Sequence, residues 1–351
     1  MFLFKKKKEV VGIDIGSSSV KVVQLKDNNG SFQLLNAGIF PLPPEAIVDN
    51  TLMDSSSIAT VIKNLVSSLD IKIKDVVCSI SGNSVIIRKI VLPAMPQEEL
   101  EDQISWEAEQ YIPFDINDVN MDFQILSPDS SDPSKMNVLL VASKKDIIND
   151  YVAVFSEAGM QLSVVDVDSF AVQNAFEVNH EYSSEDIMAL VNIGASVMNI
   201  NVIKDGITLF TRDVQMGGNL YTEEIQKQLG LSSEDAENGK LLAHESDNEQ
   251  LRNVILKVNE TITQEIRRSL DFYNSTASDD RISGVFISGG CSKVYKLIDT
   301  ITEKIALPVE TLNPFAKLKF NEKDFDPEYL QEIGPLMAVP VGLAIRRVGD
   351  K

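Results

Sequence analysis

Two β-branched runs separated by a small polar turn stand near the start of the chain. Between Val10 and Leu25, hydrophobic residues flank the turn Gly16-Ser17-Ser18-Ser19. This pattern predicts a strand, a tight turn and a second strand, with Asp14 near the mouth of the hairpin. A second turn, Asp27-Asn28-Asn29-Gly30, then leads to a third predicted strand over residues 32–40.

The same pattern recurs in the second half of the chain. Residues 189–205 align without a gap on residues 11–27, and both copies carry the Gly-x-Ser turn and end in Lys-Asp. Asp14 aligns with Asn192, and a third predicted strand, Ile207–Val214, follows again. Chance similarity between two hairpins is the alternative, but a match at both the turn and the end favours duplication. Two copies at half the chain length predict two similar domains, not a solenoid.

Periodicity of the apolar residues places the remaining elements. It predicts helices over residues 55–69, 97–112, 144–159, 169–179, 219–229, 248–274, 292–306 and 335–348. Further strands are predicted at residues 75–80 and 285–288. Between residues 85 and 166 the order strand, helix, strand, strand, helix, strand is ferredoxin-like, and it predicts a small inserted subdomain.

Composition then narrows the class of protein. The chain carries 32 Lys+Arg against 52 Asp+Glu, a formal charge of −20, although four of its lysines form the run Lys5-Lys6-Lys7-Lys8. A body this negative repels a phosphate backbone, so no nucleic-acid partner is expected. With two cysteines and two histidines, neither a disulfide framework nor a zinc site is expected. The most apolar stretch, residues 335–345, is too short to span a bilayer, and the start does not resemble a signal peptide, so a cytoplasmic protein is expected.

A Gly-Ser hairpin beside an aspartate is suited to binding phosphate. Glycine lets the backbone approach a ligand, and successive N–H groups in a turn attract an anion. Asp14 would repel bare phosphate, but it fits a magnesium ion held through water between the two. The alternative for either hairpin alone is a polar turn with a solvated carboxylate. Two such hairpins from similar domains favour a phosphate site, and the diglycine at Gly289 adds a place where a flat base or ribose could lie.

Three motifs resemble those of the actin-like ATPase superfamily. They are Asp14-Ile-Gly-Ser-Ser-Ser-Val-Lys21, its echo Asn192-Ile-Gly-Ala-Ser196, and Ser288-Gly289-Gly290, which match the phosphate-1, phosphate-2 and adenosine motifs. Within the superfamily, the segment Ile104-Ser-Trp-Glu-Ala-Glu-Gln-Tyr-Ile-Pro-Phe114 and the late Gly342-Leu-Ala-Ile-Arg346 resemble the PilM family of type IV pilus assembly proteins. The cell-division protein FtsA shares that layout.

The resemblance implies an α/β, two-lobed actin-like fold (duplicated, ribonuclease H-like) with an inserted small α+β subdomain. Lobe 1 would comprise residues 1–84, 163–184 and 332–351, with the inserted FtsA-like subdomain at 85–162. Lobe 2 would comprise residues 185–331, with a helical subdomain over about 218–280.

The resemblance also implies that ATP and Mg²⁺ bind in the cleft between the lobes. The residues expected there are Asp14 (toward Mg²⁺ through water), Gly16, Ser17, Ser18, Ser19 and Lys21 on the first hairpin, Asn192, Gly194, Ala195 and Ser196 on the second, Gly217, Gly218, Glu237 and Lys240, and Ser288, Gly289 and Gly290. Two of these assignments have plain alternatives. Glu237 and Lys240 are also spaced as an exposed i, i+3 ion pair, and Gly217-Gly218 as a strand–helix turn.

Slow or absent ATP hydrolysis is expected. Superfamily members that hydrolyse ATP usually carry aspartate where this chain has Asn192, and an amide cannot take a proton. Asp168 matches the position of a water-activating acid in related filament proteins, with the start of a helix as the alternative.

The helix predicted over residues 97–112 carries the candidate partner surface. Trp106 points away from its apolar face, and six acids lie on it without a basic residue. The alternatives are a solvated face and a docking surface for a basic peptide. The resemblance implies that the short cytoplasmic N-terminal tail of PilN binds beside this subdomain, around Trp106, Tyr111, Pro113 and Phe114.

The expected function is therefore an ATP-binding adaptor on the cytoplasmic face of the inner membrane, peripheral to it through its partners. Contacts with other pilus platform proteins and self-association stay open. A metabolite or sugar kinase and an FtsA-like filament-forming cytoskeletal protein are the competing hypotheses. No second-substrate constellation favours a kinase, and the end of the chain carries no amphipathic tail of the kind that anchors FtsA.

Overall fold

The computed structural model describes residues 9–128, 132–277 and 281–349, so the run Lys5–Lys8 lies outside the described residues. The strands are β1 (Val11–Ile15), β2 (Ser19–Asn28), β3 (Ser31–Pro41), β4 (Ile47–Val48), β5 (Thr51–Leu52), β6 (Asp75–Ile80), β7 (Ile86–Pro93), β8 (Val119–Pro128), β9 (Lys135–Lys144), β10 (Gln161–Val167), β11 (Ile187–Ile193), β12 (Met198–Lys204), β13 (Ile207–Val214), β14 (Gly284–Ser288) and β15 (Val309–Thr311). The helices are α1 (Ser55–Ser68), α2 (Gln97–Ala108), α3 (Lys145–Glu157), α4 (Asp168–Asn179), α5 (Gly218–Leu229), α6 (Ser233–Leu241), α7 (Glu249–Thr276), α8 (Leu297–Ile305), α9 (Pro327–Ile333) and α10 (Ala338–Ile345).

Two five-stranded sheets with the same topology form the two lobes. The first has the order β10-β6-β1-β2-β3 and the second the order β15-β14-β11-β12-β13. In each, an antiparallel three-stranded unit is extended by two parallel strands. The predicted duplication is therefore present at the level of whole sheets, because β1 and β11 hold the same place in their sheets.

The middle of the molecule is a layer of two helices. Helix α10 packs against α4 and against β1 and β2, while α4 also contacts β11 and β12 of the second sheet. Apolar side chains of both lobes meet there in one buried cluster, which includes Val10, Val77, Phe176, Leu190 and Leu343. We call these two helices, together with the adjoining strand β1, the central seam.

Two glycines let the backbones of the central seam touch. A Cβ atom added at Gly342 of α10 would overlap the carbonyl of Ala171 on α4, and one added at Gly12 of β1 would overlap the carbonyl of Pro340. Since backbone atoms cannot move aside as a flexible side chain can, a larger residue at either position forces the elements apart.

The inserted subdomain differs from the ferredoxin-like expectation. Strands β7, β9 and β8 form a separate three-stranded sheet covered by α2. Helix α3 and strand β10, predicted as the last two elements of the subdomain, belong to the first lobe instead. The apolar face of α3 packs on α1 in the core of that lobe, and β10 pairs with β6. The chain enters and leaves the subdomain at one point, where the Ser143 hydroxyl donates to the Ser84 carbonyl at 2.7 Å.

Three further elements differ from expectation. The helix predicted over residues 292–306 is broken, because Lys296 adopts a left-handed conformation (φ +57°) and only α8 follows it. Helices α6 and α9 were not predicted. Residues before α9 pack on the first sheet rather than on the second lobe, since Phe315 and Leu318 share a buried cluster with Val23.

Across residues 9–128, 132–277 and 281–349, none of the helices combines the length and hydrophobicity that a membrane span needs.

Substitution of Gly342 tests the central seam. We expect Gly342→Ala to lower the free energy of unfolding by about 1–3 kcal/mol, because the added methyl group meets backbone rather than space. Urea unfolding followed by circular dichroism measures the change. Gly239→Ala is the matched control, since the space beside Gly239 in α6 is ordinary and alanine favours a helix interior. An unchanged stability of Gly342→Ala would contradict the close contact.

Candidate functional site

The first hairpin holds a buried ion pair at its mouth. In the pairing of β1 with β2, Asp14 lies opposite Lys21. The Lys21 Nζ donates to the Asp14 Oδ2 at 2.8 Å, and Asp14 is only 8% exposed. The Gly16 N–H donates to the Ser19 carbonyl at 3.1 Å and closes the turn. The cation and the carboxylate predicted to face phosphate and magnesium therefore lie side by side.

The second hairpin repeats this geometry without its charges. Asn192 lies opposite Asn199, in the same register that places Asp14 opposite Lys21. The Asn192 Nδ2 donates to the Asn199 Oδ1 at 3.1 Å, and the Gly194 N–H donates to the Val197 carbonyl at 2.9 Å. A neutral amide pair thus replaces the ion pair.

The diglycine Gly217-Gly218 lies against the turn of the second hairpin. The Gly218 N–H donates to the Gly194 carbonyl at 2.9 Å, and the Asn219 N–H donates to the Ala195 carbonyl at 2.8 Å. The Asn219 side chain also donates to the Ser196 hydroxyl at 3.0 Å. The strand–helix turn and the hairpin are thereby one unit, in which the first free N–H groups of α5 are satisfied by protein.

Glu237 and Lys240 form an ion pair in which the lysine is buried and the Glu237 side chain is 43% exposed. The Lys240 Nζ lies 2.7 Å from the Glu237 Oε2 and donates to the Gly218 carbonyl at 3.3 Å, and Lys240 is 7% exposed. The Thr222 hydroxyl also donates to Glu237, at 2.6 Å. The pair is therefore held against the start of α5, beside the second hairpin.

The two glycines of the predicted adenosine motif have different roles. Gly289 has φ +88°, and an added Cβ would overlap the carbonyl of Ile193, so this position requires glycine for the fold itself. Gly290 is exposed and has open space around it, and Ser288 is fully buried. Cys291, which sequence reasoning missed, lies against Gly218 and donates to the Gly194 carbonyl at 3.3 Å.

Besides the two hairpins and the glycine turns, the candidate site contains carboxylates. Asp168 is the first residue of α4, and its Oδ1 accepts a hydrogen bond of 2.5 Å from Ser79. Burial, followed by the charge of Asp14, raises the pKa of Asp168 to about 7, against the hydrogen bonds from Ser79 and Ser81. The charge of Asp213 acts in the same direction.

Asp213 was missed by sequence reasoning. It is the single acidic residue of β13 and lies opposite Asn199 on the neighbouring strand. Counting outward from the turn after β12 would have placed Arg212 opposite Asn199, because a β-bulge at Val202 and Ile203 shifts the pairing by one residue and carries no signal in the sequence. Among the described residues, no three His, Cys, Asp or Glu side chains are grouped to hold a metal ion.

The four candidate partner residues are not equivalent. Trp106 is 79% exposed on α2, whose opposite face is buried in the subdomain core. Tyr111 is half-buried against that core, whereas Pro113 is exposed. Phe114 is 37% exposed, and the Lys144 Nζ lies 4.2 Å from the centre of its ring. Trp106 and Phe114 are therefore the accessible aromatic groups of this surface.

The family model described as type IV pilus assembly protein PilM matches residues 12–348 of the chain. The chain belongs to this family. The resemblance to PilM predicted from the hairpins and the segment around Trp106 is thereby confirmed.

Similar proteins and structures agree with this assignment. The chain is 29% identical to a protein in a solved PilM–PilN type IV pilus biogenesis complex, with a TM-score of 0.87 over 97% of this chain and 99% of that one. The cell division protein FtsA of Streptococcus pneumoniae serotype 2 (strain D39) is 25% identical over 66% of this chain, and the match spans about half of that protein (54%).

More distant structures show the fold. The ethanolamine utilization protein EutJ of Carboxydothermus hydrogenoformans is 13% identical with a TM-score of 0.60, over 97% of this chain and 90% of that one. MreB5 of Spiroplasma citri, solved bound to ADP, is 12% identical with a TM-score of 0.50, over 95% and 94%. The PilM family member described here has the two-lobed actin-like fold, as predicted.

The raised pKa of Asp168 predicts how the stability of this PilM family member depends on pH. A carboxyl group with a folded pKa near 7 stabilises the fold while protonated, and this contribution is lost as the pH rises through 7. Asp168→Asn stays neutral and can still accept from Ser79. We expect its melting temperature relative to the wild type to rise between about pH 5 and about pH 7 and to level off above pH 7.

Thermal unfolding across this pH range measures the difference. Asp299→Asn, at an exposed carboxylate of the second lobe, is the control and should differ from the wild type by a constant amount. A constant difference for Asp168→Asn as well would show that its pKa is not raised.

Proposed function

We propose that this protein is an ATP-binding cytoplasmic adaptor of the type IV pilus inner-membrane assembly platform, and that it binds the N-terminal tail of PilN. The observation that carries the proposal is the pair of hairpins with equal register, one on each of two sheets of the same topology. The similarity to the protein of the PilM–PilN complex, over nearly the full length of both chains, supports the assignment to the pilus platform.

The residues around the cleft fit a magnesium nucleotide. Gly16 and Lys21 would meet the phosphates on the first lobe, and the turn 194–196 would face them on the second. Gly290 has open space around it, which leaves room for the adenosine. When bound, magnesium would supply the positive charge that lets phosphates lie beside Asp14.

Lys21 has a special role in this arrangement. It is paired with Asp14, so the first hairpin offers a cation that a neighbouring protein group holds in place. A pre-positioned donor loses less side-chain entropy on binding than a mobile lysine would.

Hydrolysis is proposed to be slow. Asn192 has no acidic proton to give or take, and it is already bonded to Asn199 and Ser288. Asp168 is the remaining candidate for water activation. Its raised pKa keeps a share of the molecules protonated, and in these Asp168 cannot take a proton from water, while in the ionised form its Oδ1 already accepts from Ser79.

The charge of α2 and the exposure of Trp106 support a basic peptide as the partner of the subdomain. Helix α2 and the residue after it carry six acids and no basic residue: Glu98, Glu99, Glu101, Asp102, Glu107 and Glu109. The acids would attract a basic peptide from a distance, and the exposed tryptophan would give it an apolar surface to bind. We propose that the PilN tail binds beside Trp106 and Phe114, which holds the protein at the cytoplasmic face of the inner membrane.

The nucleotide proposal predicts a specific loss of affinity. We expect Lys21→Met to weaken binding of ATP·Mg²⁺ about tenfold or more, because a charged hydrogen bond contributes about 1.5–3 kcal/mol. Titration calorimetry measures the affinity. Lys63→Met, at an exposed lysine of α1, is the control and should bind as the wild type does. Failure of the wild type to bind any adenine nucleotide would refute the cleft assignment.

The partner proposal can use the single tryptophan of the chain as its probe. A peptide carrying the N-terminal tail of PilN is expected to shift the emission of Trp106 to shorter wavelength, because binding would bury the indole. Trp106→Ala should weaken the affinity measured by calorimetry about tenfold or more.

The control for this experiment is Phe272→Ala, which removes an exposed aromatic residue of the second lobe. It should leave the affinity for the peptide unchanged. Binding of the peptide without any change in tryptophan emission would place the site elsewhere.

A further inference from the structure

A chain of hydrogen bonds crosses four strands of the second sheet and ends on the first lobe. The Ser288 hydroxyl donates to the Asn192 Oδ1 at 3.2 Å, and the Asn192 Nδ2 donates to the Asn199 Oδ1 at 3.1 Å. The Asn199 Nδ2 donates to the Asp213 Oδ1 at 2.8 Å. The other oxygen of Asp213 accepts from the Gly82 N–H at 2.5 Å. Gly82 follows β6 of the first lobe, so the chain joins the two lobes.

The carboxylate sets the direction of the whole chain. An ionised carboxylate only accepts, whereas an amide side chain can donate from one end and accept at the other. Asn199 must therefore turn its nitrogen toward Asp213, which leaves its oxygen for Asn192. Asn192 must in turn present its own oxygen to Ser288. The orientation of an amide beside the proposed nucleotide site is thus decided two strands away.

Burial makes these bonds hard to replace. Asn192, Asn199 and Ser288 are all buried, so an unpaired polar atom on any of them would cost the full loss of its solvation. Burial raises the pKa of Asp213, while the hydrogen bonds from Asn199 and Gly82 lower it. Burial disfavours the ionised form of Asp213, so the two hydrogen bonds that it accepts are what stabilise its charge.

The contact on the first lobe is close. The turn that contains Gly82 lies against Gln215, two residues beyond Asp213, and against Asn50, whose Nδ2 donates to the Ser81 carbonyl at 2.9 Å. The Gly82 N–H is thereby held at a fixed place facing the second lobe. The same turn follows Ser79 by three residues, and Ser79 is the donor to Asp168.

We propose that Asp213 is a positioning residue, whose carboxylate ties the Gly82 turn of the first lobe to the Asn199–Asn192 amide pair of the second and so sets both the closure of the cleft and the orientation of Asn192. The effect on ATP affinity rests on the proposed function. The tie between the lobes does not, because it joins protein groups only.

Hydrogen exchange of the Gly82 N–H in the full chain tests the tie directly. Measured by nuclear magnetic resonance without nucleotide, this exchange is expected to be at least about tenfold faster in Asp213→Ala than in the wild type, since the acceptor is lost. Asp299→Ala removes an exposed carboxylate of the second lobe and should leave the exchange unchanged. Exchange in Asp213→Ala within about twofold of the wild type overturns the proposal, whatever the affinity for ATP.

An exchange of side chains tests the orientation. In Asp213→Asn every amide of the chain can reverse, so Asn192 would present its nitrogen to Ser288, and we expect ATP·Mg²⁺ affinity to fall about fivefold or more. In the double variant Asn199→Asp with Asp213→Asn, the carboxylate at position 199 accepts from Asn192, and the amide at position 213 accepts from Gly82. The original orientation of Asn192 is then restored.

The double variant is expected to recover most of the affinity, which a loss of packing alone would not allow. Equal affinities of the single and double variants would overturn the orientation part of the proposal. If the wild type binds no nucleotide, the proposed function fails, while the exchange of Gly82 still decides whether Asp213 ties the lobes.

Discussion

Direct backbone contact in the central seam is the constraint on which the remaining structure depends. Helix α10 can lie between α4 and β1 only because Gly342 and Gly12 have no side chains there. The spacing of these elements then fixes the relative positions of their ends. Strand β1 ends one residue after Asp14, and α4 begins at Asp168. The two carboxylates on the first-lobe side of the cleft are therefore placed by a contact between glycines and backbone some distance behind them.

The cleft follows an unusual electrostatic plan. The chain has a formal charge of −20, and it places Asp14, Asp168 and Asp213 near one another, with Lys21 already paired to the first of them. Such a site repels free phosphate and favours a ligand that brings its own cation. The pair Asn192–Asn199 puts two uncharged side chains at the corresponding place on the opposite hairpin. The two lobes are thus alike in backbone and different in charge.

Much of the fold could be predicted from the sequence because both copies of the duplicated hairpin pair their strands in the same register. The turn of each hairpin sets the pairing of its strands, so aligning Asp14 with Asn192 also aligned Lys21 with Asn199. Membership of a sheet was harder to predict. Helix α3 and strand β10 were recognised as elements, but their pattern does not say which sheet they join, and their apolar faces are satisfied by the first lobe.

The candidate site shows the same limit. Sequence motifs brought out the glycines and Lys240, but not the burial of that lysine against Gly218, which depends on how α5 and α6 pack. The sequence does not distinguish Gly289 from Gly290. Only the conformation of the turn shows that Gly289 is required for the fold, whereas Gly290 has free space around it. Asp213 carries no motif, since its partners Asn199 and Gly82 lie on another strand and on another lobe.

The inserted subdomain is attached to the first lobe at a single narrow point. The chain crosses into it and out of it at adjacent positions, which Ser84 and Ser143 join by a hydrogen bond. An inserted segment of another length would still have to join the same two neighbouring ends in the first lobe. The entropic cost of joining them changes slowly with the length of the insertion. This scaffold can therefore accept a different insertion at the same point while the central seam stays as it is.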